Sequence, residues 1–415
     1  MPVSLALIGA GQRGTHAYGP LALESPTELR FVAVAEPVPE RRRRFAYLHE
    51  IPPNQQFSSW QDLLAAPHLA DAVLIATPDQ LHHDPAIAAL ESGYHVLVEK
   101  PLATTVTDLA NLVATADRTS RLLQVCHVLR YTPFFQTLHE TVSSGRLGEI
   151  VTVSHQENFI YWHMAHSFVR GNWRRAADSA PMILAKACHD FDILAWVLSD
   201  PAVTLQSFGS LIHFRPENAP HGAPARCTDG CPAAEDCPFD ATRLYLNESL
   251  TGWPVHAITD DLSRAGRLAA LQEGPYGRCV YRCDNDVVDH QIVAMRLHSG
   301  ATVSITVQGH SHEEGRTMRY DGTRGTLRGK FGLRSEIEYH DHLSGRRSYL
   351  PIPPARSGHG GGDFGVVRAF VAAVRGNASS IATAGAVLES HLLALAAEQS
   401  RLSGTPVDMD NFRGN

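Results

Sequence analysis

Val3-Ser4-Leu5-Ala6-Leu7-Ile8 runs directly into Gly9-Ala10-Gly11-Gln12-Arg13-Gly14, an apolar strand-like segment followed at once by the pattern G-x-G-x-x-G. The order of these pieces decides the reading. A strand feeding a glycine turn and then a helix aims backbone N–H groups at a diphosphate, and a side chain at Gly9 or Gly11 would block that approach. The pattern alone is shared by ordinary glycine-rich turns; the strand in front of it makes it a dinucleotide site. The next apolar segment, Leu29-Arg30-Phe31-Val32-Ala33-Val34-Ala35, ends at Glu36, close to the ~20-residue offset at which this fingerprint places an acidic residue, or a little beyond it. Glu36 is expected to hold the ribose diol and to repel a 2′-phosphate, which favours NAD over NADP. Arg41-Arg42-Arg43-Arg44 could clamp such a phosphate one turn later. Four adjacent arginines point in all directions around a helix, however, and read better as a solvated face.

Strand-like and helical segments go on alternating: Asp71–Ala76, a helix over Pro85–Ser92, His95–Val98, a helix near Val106–Ala116 and a last strand near Leu122–Val128. This is the sequence of a doubly wound parallel sheet, a Rossmann domain over residues 1–128. Beyond Arg130-Tyr131-Thr132-Pro133 the texture changes. A helix over Phe134–Ser143 is followed by alternating segments at Glu149–Ser154, Val203–Phe208 and Ala301–Val307, which suit an open, mainly antiparallel sheet with one buried face. Residues 129–415 therefore read as a C-terminal α/β domain for substrate binding and oligomerisation. It closes with helices over Phe364–Val374 and Gly385–Leu402 and carries an irregular, cysteine-containing arm at about 213–254. An exposed sheet face makes a homodimer or homotetramer the expected assembly.

The chain has 415 residues, enough for two or three domains, and its 36 Lys+Arg against 43 Asp+Glu give a net charge of −7. That balance argues against nucleic acid as a partner. No segment approaches the ~20 apolar residues of a membrane span and no cleavable leader is evident, so a soluble cytoplasmic protein is expected. Seven cysteines are an odd number for a disulfide framework.

Two positions carry the chemistry. Strand His95–Val98 ends in Glu99-Lys100-Pro101, which places Lys100 at the carboxyl edge of the sheet, where open α/β sheets bind ligands. Pro101 stiffens the turn and is a candidate for a cis bond. Lys100 is expected to bind a substrate oxygen and stabilise negative charge on it. The second is the apolar segment Ile183–Trp196, read as one helix on which Lys186, His189 and Asp192 are three apart and share a face. A histidine titrating near neutrality takes a hydroxyl proton, a carboxylate orients it and a nearby cation tunes it.

With these residues in view, the chain resembles the glucose-fructose oxidoreductase and inositol dehydrogenase family, Gfo/Idh/MocA. The resemblance rests on Gly9–Gly14, Thr77-Pro78-Asp79-Gln80-Leu81-His82, His95–Leu102, Gly148-Glu149-Ile150 and the His189 helix. It implies hydride transfer between a nicotinamide and a carbon of a sugar, polyol or glycoside, with Lys100 and His189 matching the catalytic lysine and histidine. It also implies that Gly9, Gly11, Gln12, Arg13, Gly14, Glu36, Thr77, Pro78, His82, Glu99 and Lys100 border the cofactor. The family's common aspartate, four residues before the histidine, is Ala185 here, with Lys186 beside it, which leaves open whether Lys186 or His189 is the base.

Two further stretches stand out. Tyr161–Arg175, dense in aromatics, histidines and arginines, suits a sugar-binding wall, with Tyr161, His163, Arg170, Trp173 and Arg174 as candidate contacts and Arg170, Arg174 or Arg175 as grips for an anionic substituent. Cys227, Cys231, Cys237 and Cys283, with Cys279 nearby, suggest a structural zinc site, the alternative being free thiols or one disulfide; Cys279 and Cys283 are placed on a strand. His310-Ser311-His312-Glu313-Glu314 reads as a polar turn. The expected activity is NAD-dependent oxidation of a secondary alcohol of a sugar or glycoside. The alternative is a redox-neutral glycoside hydrolase that oxidises C3 transiently, eliminates the aglycone, adds water and returns the hydride, with an anionic glycoside such as a sulfoquinovoside as one candidate substrate. A nucleotide-bound sensor without turnover is a third class, against which the intact Lys100 and His189 argue.

Overall fold

The computed structural model describes residues 1–355, 358–377 and 382–414. Strands β1 (Val3–Ile8), β2 (Leu29–Ala35), β3 (Gln56–Phe57), β4 (Ala72–Ile75), β5 (His95–Val98) and β6 (Leu123–Val125) stand in the order β3-β2-β1-β4-β5-β6, every neighbouring pair parallel. The order reverses between β1 and β4, and the crevice outside the carboxyl ends of the strands at that point is where such sheets take a dinucleotide. The strands are continuous apolar runs because both faces are covered: Leu5, Leu7, Val73, Leu74, Val96 and Leu97 are all fully buried. Helix Val106–Thr119 shows how locally the pieces are specified. Thr105 caps it by accepting from the Asp108 N–H, and Ser120 ends it in the left-handed region at φ 52°.

The second sheet comprises β7 (Ile150–Ile160), β8 (Ala202–Ser210), β9 (His290–Leu297), β10 (Thr302–Ser311), β11 (Gly315–Gly322), β12 (Gly325–Phe331), β13 (Glu336–Asp341), β14 (Arg347–Tyr349) and β15 (Val407–Asp408). Their order is β14-β13-β12-β11-β7-β10-β9-β8-β15, antiparallel except for the pair β7 and β10. Alternation decides which face is covered. His155 and Glu157 of β7 and Val303, Ile305 and Val307 of β10 turn inward, while Val151, Phe208 and Ile292 lie exposed. The closing helices run over Gly362–Val374 and Ala384–Ser403, within two residues of expectation. They also lean on the first sheet: Val125 N–H donates to the Ala382 carbonyl and the Gln124 amide to the Val366 carbonyl.

Two expectations change. The helix read over Ile183–Trp196 is two pieces, Met182–Ala185 and Cys188–Leu198, broken at Lys186 and Ala187. The arm is longer than 213–254. Among the described residues no strand of either sheet lies between β8 and β9, and this stretch holds its own small core of Ala241, Tyr245, Val255 and Leu271, separate from the main one. Among the described residues no helix is long and apolar enough to cross a membrane.

Candidate functional site

The carboxyl ends of β1, β2, β4 and β5 deliver the glycine turn, Glu36, the Thr77–His82 loop and Glu99-Lys100 to one edge. The three glycines do different jobs. Gly9 sits at φ +95°, and a Cβ there would lie 2.7 Å from the Ala76 carbonyl oxygen, while one on Gly14 would lie 2.3 Å from the Gly9 carbonyl oxygen. These two let the turn close against its neighbours. A Cβ on Gly11 would meet nothing within 4 Å, so this glycine leaves space on the ligand side, as a diphosphate cradle requires. Glu36 is buried; its carboxylate accepts from the Ala10 N–H at 2.8 Å and from the Val38 N–H at 2.9 Å. The acidic residue thus braces the turn from the side where the ribose would lie, and these residues fit NAD.

Arg13 differs from expectation. Its guanidinium points inward, to Glu99 at 2.5 Å, Tyr18 at 2.8 Å and Asp363 at 2.7 Å, which leaves its backbone N–H as the group available to a cofactor. Burial raises the Glu99 carboxyl, but Arg13 and the Tyr18 hydroxyl outweigh it and hold the group below its ordinary range. Of the arginine run, Arg42 donates to the Glu36 carbonyl at 2.5 Å and Arg44 pairs with Asp260 of the arm, so the run is only in part a solvated face. The Thr77–His82 loop is locked from within. Thr77 Oγ donates to the Leu81 carbonyl, and buried His82 lies between the Pro101 oxygen at 2.7 Å and the Thr77 oxygen at 2.9 Å. Asp79, to which the sequence assigned no role, accepts from Trp173 Nε1 and Ser179 Oγ, each at 2.9 Å, and so ties the aromatic wall to this loop.

Lys100 precedes a cis Pro101 and donates from Nζ to the Ala185 carbonyl at 2.7 Å, at the end of the first half of the broken helix. The break thus offers an acceptor to Lys100, and Lys186, which follows it, reaches Glu157 and Glu314. His189 is 8% exposed, and its Nδ1 is buried without a hydrogen-bond partner. Burial first, then the Lys100 charge and His127, push it well below the ordinary histidine value, so it stands as a neutral imidazole at working pH. His127 lies edge-on to it and, on its other side, edge-on to His391. The Leu102 N–H donates to His391 Nε2 at 2.9 Å, which leaves Nδ1 as the protonated nitrogen facing the Val387 carbonyl. Neither histidine was legible in the sequence, because both lie in segments with no polar pattern of their own.

Asp192 does not orient His189. Its two oxygens accept from Arg130 Nε and Nη2, each at 2.7 Å, in a pair with side chains 1% and 4% exposed. Lys186 lies 3.3 Å from Glu157 and 3.5 Å from Glu314, over the Phe159 ring. Glu157 also faces Arg316 at 2.9 Å, and that guanidinium is shared with Asp190, itself 2.7 Å from His155. Burial, helped by Asp190 and opposed by Arg316 and Lys186, pushes the Glu157 carboxyl up. Glu314, which the sequence reading left in a polar turn, accepts from His163 Nδ1 at 2.9 Å and from the Ile160 N–H at 3.0 Å, and these contacts with Lys186 hold it down at about 2 against burial.

Much of the expected substrate wall serves structure. Arg170 is buried and donates to the carbonyls of Arg278 and Phe239, Arg174 pairs with Asp284, and Arg175 with Asp178. The grips expected for an anionic substituent are thus already taken. His163 lies between Glu314, the partner of Lys186, and Trp253, while Tyr161 stands edge-on to Phe239 of the arm. The zinc expectation is also corrected. Cys227, Cys231, Cys237 and Cys279 line one cavity in the arm, but Cys279 and Cys283 flank a short helical turn at Val280–Arg282 rather than stand on a strand. Cys283 Sγ donates to the Cys279 carbonyl, all seven thiols are free, and burial pushes those of Cys227, Cys237 and Cys283 up. Among the described residues no group of three or more His, Cys, Asp or Glu is arranged to hold a metal.

Residues 3–127 match a family model described as an oxidoreductase family with an NAD-binding Rossmann fold, and residues 139–409 match its C-terminal alpha/beta domain. The chain belongs to the Gfo/Idh/MocA oxidoreductase family. It is 24% identical over 308 residues to the protein YteT of Bacillus subtilis (strain 168), covering 71% of this chain and 70% of that one. It is 26% identical over 214 residues to the 2,7-anhydro-N-acetylneuraminate hydratase of Escherichia coli (strain K12), covering 51% of this chain and 55% of that one. A solved levoglucosan dehydrogenase in complex with NADH and L-sorbose superposes with a TM-score of 0.72 at 19% identity over 99% of both chains, a likeness of fold.

Proposed function

We propose that this protein takes hydride from a secondary alcohol of a sugar or glycoside, using NAD. The observation that carries the reading is the convergence of Lys100 and a neutral His189 at the carboxyl edge of the dinucleotide-binding sheet. Bound there, NAD supplies the hydride acceptor. Lys100 donates to the carbinol oxygen and stabilises the negative charge that grows on it; the His189 imidazole takes the hydroxyl proton, and the cis turn at Pro101 aims the ammonium. Asp192 acts at one remove, paired with Arg130 and 3.6 Å from His127, which lies edge-on to His189.

A second reading, redox-neutral glycoside cleavage, is favoured by the Lys186 and Glu157 pair. Oxidation at C3 acidifies the neighbouring C–H. Cleavage then needs a second base for that proton while the aglycone leaves, followed by addition of water and return of the hydride. The Lys186 and Glu157 pair, 3.3 Å apart, can pass that proton through the carboxyl that burial has pushed up, and a relative named a hydratase is in keeping with it. Following NADH absorbance and aglycone release together on a panel of sugars and glycosides separates the two. NADH in step with substrate loss supports net oxidation, many turnovers of aglycone with no net NADH support the cycle, and no change with either sinks both. The exposed Val151, Phe208 and Ile292 on the open sheet face support a homodimer or homotetramer.

A further inference from the structure

The arm does not hang free; it reaches back across the glycine turn. Gln12 Nε2 donates to His256 Nε2 at 2.5 Å, and the His16 and His256 rings stack at 4.8 Å with 22° between their planes. Further along, Asp260 pairs with Arg44, on the helix that follows Glu36. At the other end Trp253 packs against Trp162, His163 and His166, at 5.2, 4.7 and 5.3 Å. Residues 253–260 therefore span from the wall beside Lys186 to the residues flanking the place of the diphosphate and the adenosine ribose.

We propose that residues 253–260 form a clasp across the dinucleotide site, with His256 a ligand for the cofactor's diphosphate, so that NAD enters and leaves only when the arm lifts. Three features support this. The clasp lands on Gln12 and His16, in the helical turn whose N-terminus a diphosphate would face. Its contact with the turn is an imidazole, His256, stacked on that of His16, and an imidazole can donate to a phosphate oxygen once an anion displaces the Gln12 contact. Val255 seats the clasp in the arm's small core with Ala241, Tyr245 and Leu271, apart from the main core in which Phe214, Phe239 and Tyr281 hold the rest of the arm, so the clasp can move with that small core. The inference rests on the dinucleotide site alone and is independent of which sugar reaction follows.

The test is the release and association of NADH, read from its fluorescence after rapid mixing of the full-length protein, in the parent, His256→Ala and Asp260→Ala. Asp260 is exposed and touches no expected cofactor atom, so it reports the clasp and not the ligand. Release is expected to speed up about tenfold in His256→Ala and about threefold in Asp260→Ala, from the loss of a hydrogen bond with its ring stack and of a surface ion pair, with association faster in both. Faster exchange in both variants supports the clasp. Faster release in His256→Ala alone leaves a ligand without a gate and overturns it, as do equal rates in all three proteins. A parent that binds no NADH would overturn the dinucleotide site itself.

Discussion

Replacing Asp192 by asparagine keeps the volume of the side chain but removes the charge that two Arg130 hydrogen bonds, each 2.7 Å, converge on. Both partners are buried, with side chains 1% and 4% exposed, so no solvent is at hand to take over. Arg130 also donates to the Ala386 carbonyl at 3.3 Å and lies over the Trp196 ring at 5.7 Å, contacts that the substitution leaves in place. Breaking a buried ion pair by removing the charge of one partner costs about 3–5 kcal/mol. Against a total stability of about 5–15 kcal/mol this is a large part of what holds the chain folded. Urea unfolding followed by tryptophan fluorescence measures it, and turnover per folded molecule, measured beside it, should stay within about threefold of the parent because Asp192 does not contact His189. The opposite pattern, stability lowered by less than about 1 kcal/mol with turnover down by a factor of about 10² or more, would refute this assignment and return Asp192 to the role its helical spacing suggested.

Other outcomes follow from the same geometry. Gly11→Ala should leave stability within about 0.5 kcal/mol, since its Cβ has open space, yet weaken NAD binding by more than about tenfold in a fluorescence titration. Gly9→Ala, at φ +95° and against the Ala76 carbonyl, should instead destabilise by about 1–3 kcal/mol; equal behaviour of the two variants would contradict their separate jobs. Lys100→Met should lower turnover by a factor of about 10²–10³. It should also move the acidic limb of the pH–rate profile upward toward 6.5, because the Lys100 charge is second only to burial in depressing His189; a limb that stays in place sinks His189 as the titrating base. Burial first, then a neighbouring histidine, holds His166 and His391 down at about 3, below their ordinary 6.5. Folded values below unfolded ones mean a contribution that is complete above pH 6.5 and lost as pH falls toward 3, so the urea midpoint should drop steadily across that window. A flat midpoint from pH 7 to 4 would show that these histidines are not buried neutral.

The sequence by itself determined the parts that are local. Apolar runs of strand length, the glycine turn, the Glu36 position and the alternation in β10 each rest on neighbours a few residues away, and the dinucleotide sheet follows from them. Lys100 was legible because Glu99-Lys100-Pro101 ends a strand, and His189 because it interrupts an apolar helix. Periodicity tells which residues share a face and is silent on what that face meets. Lys186, His189 and Asp192 have helical spacing, yet the chain breaks at Lys186 and each side chain takes a different partner: Glu157 and Glu314, the histidine cluster, and Arg130. The arginines of the wall were read as free because their acceptors are backbone carbonyls and acids of the arm, which no pattern announces. Only the tertiary structure decided these pairings, and with them the meeting of His256 with Gln12 across 244 residues of chain, because a buried charge or ring goes to whichever partner the fold sets opposite it.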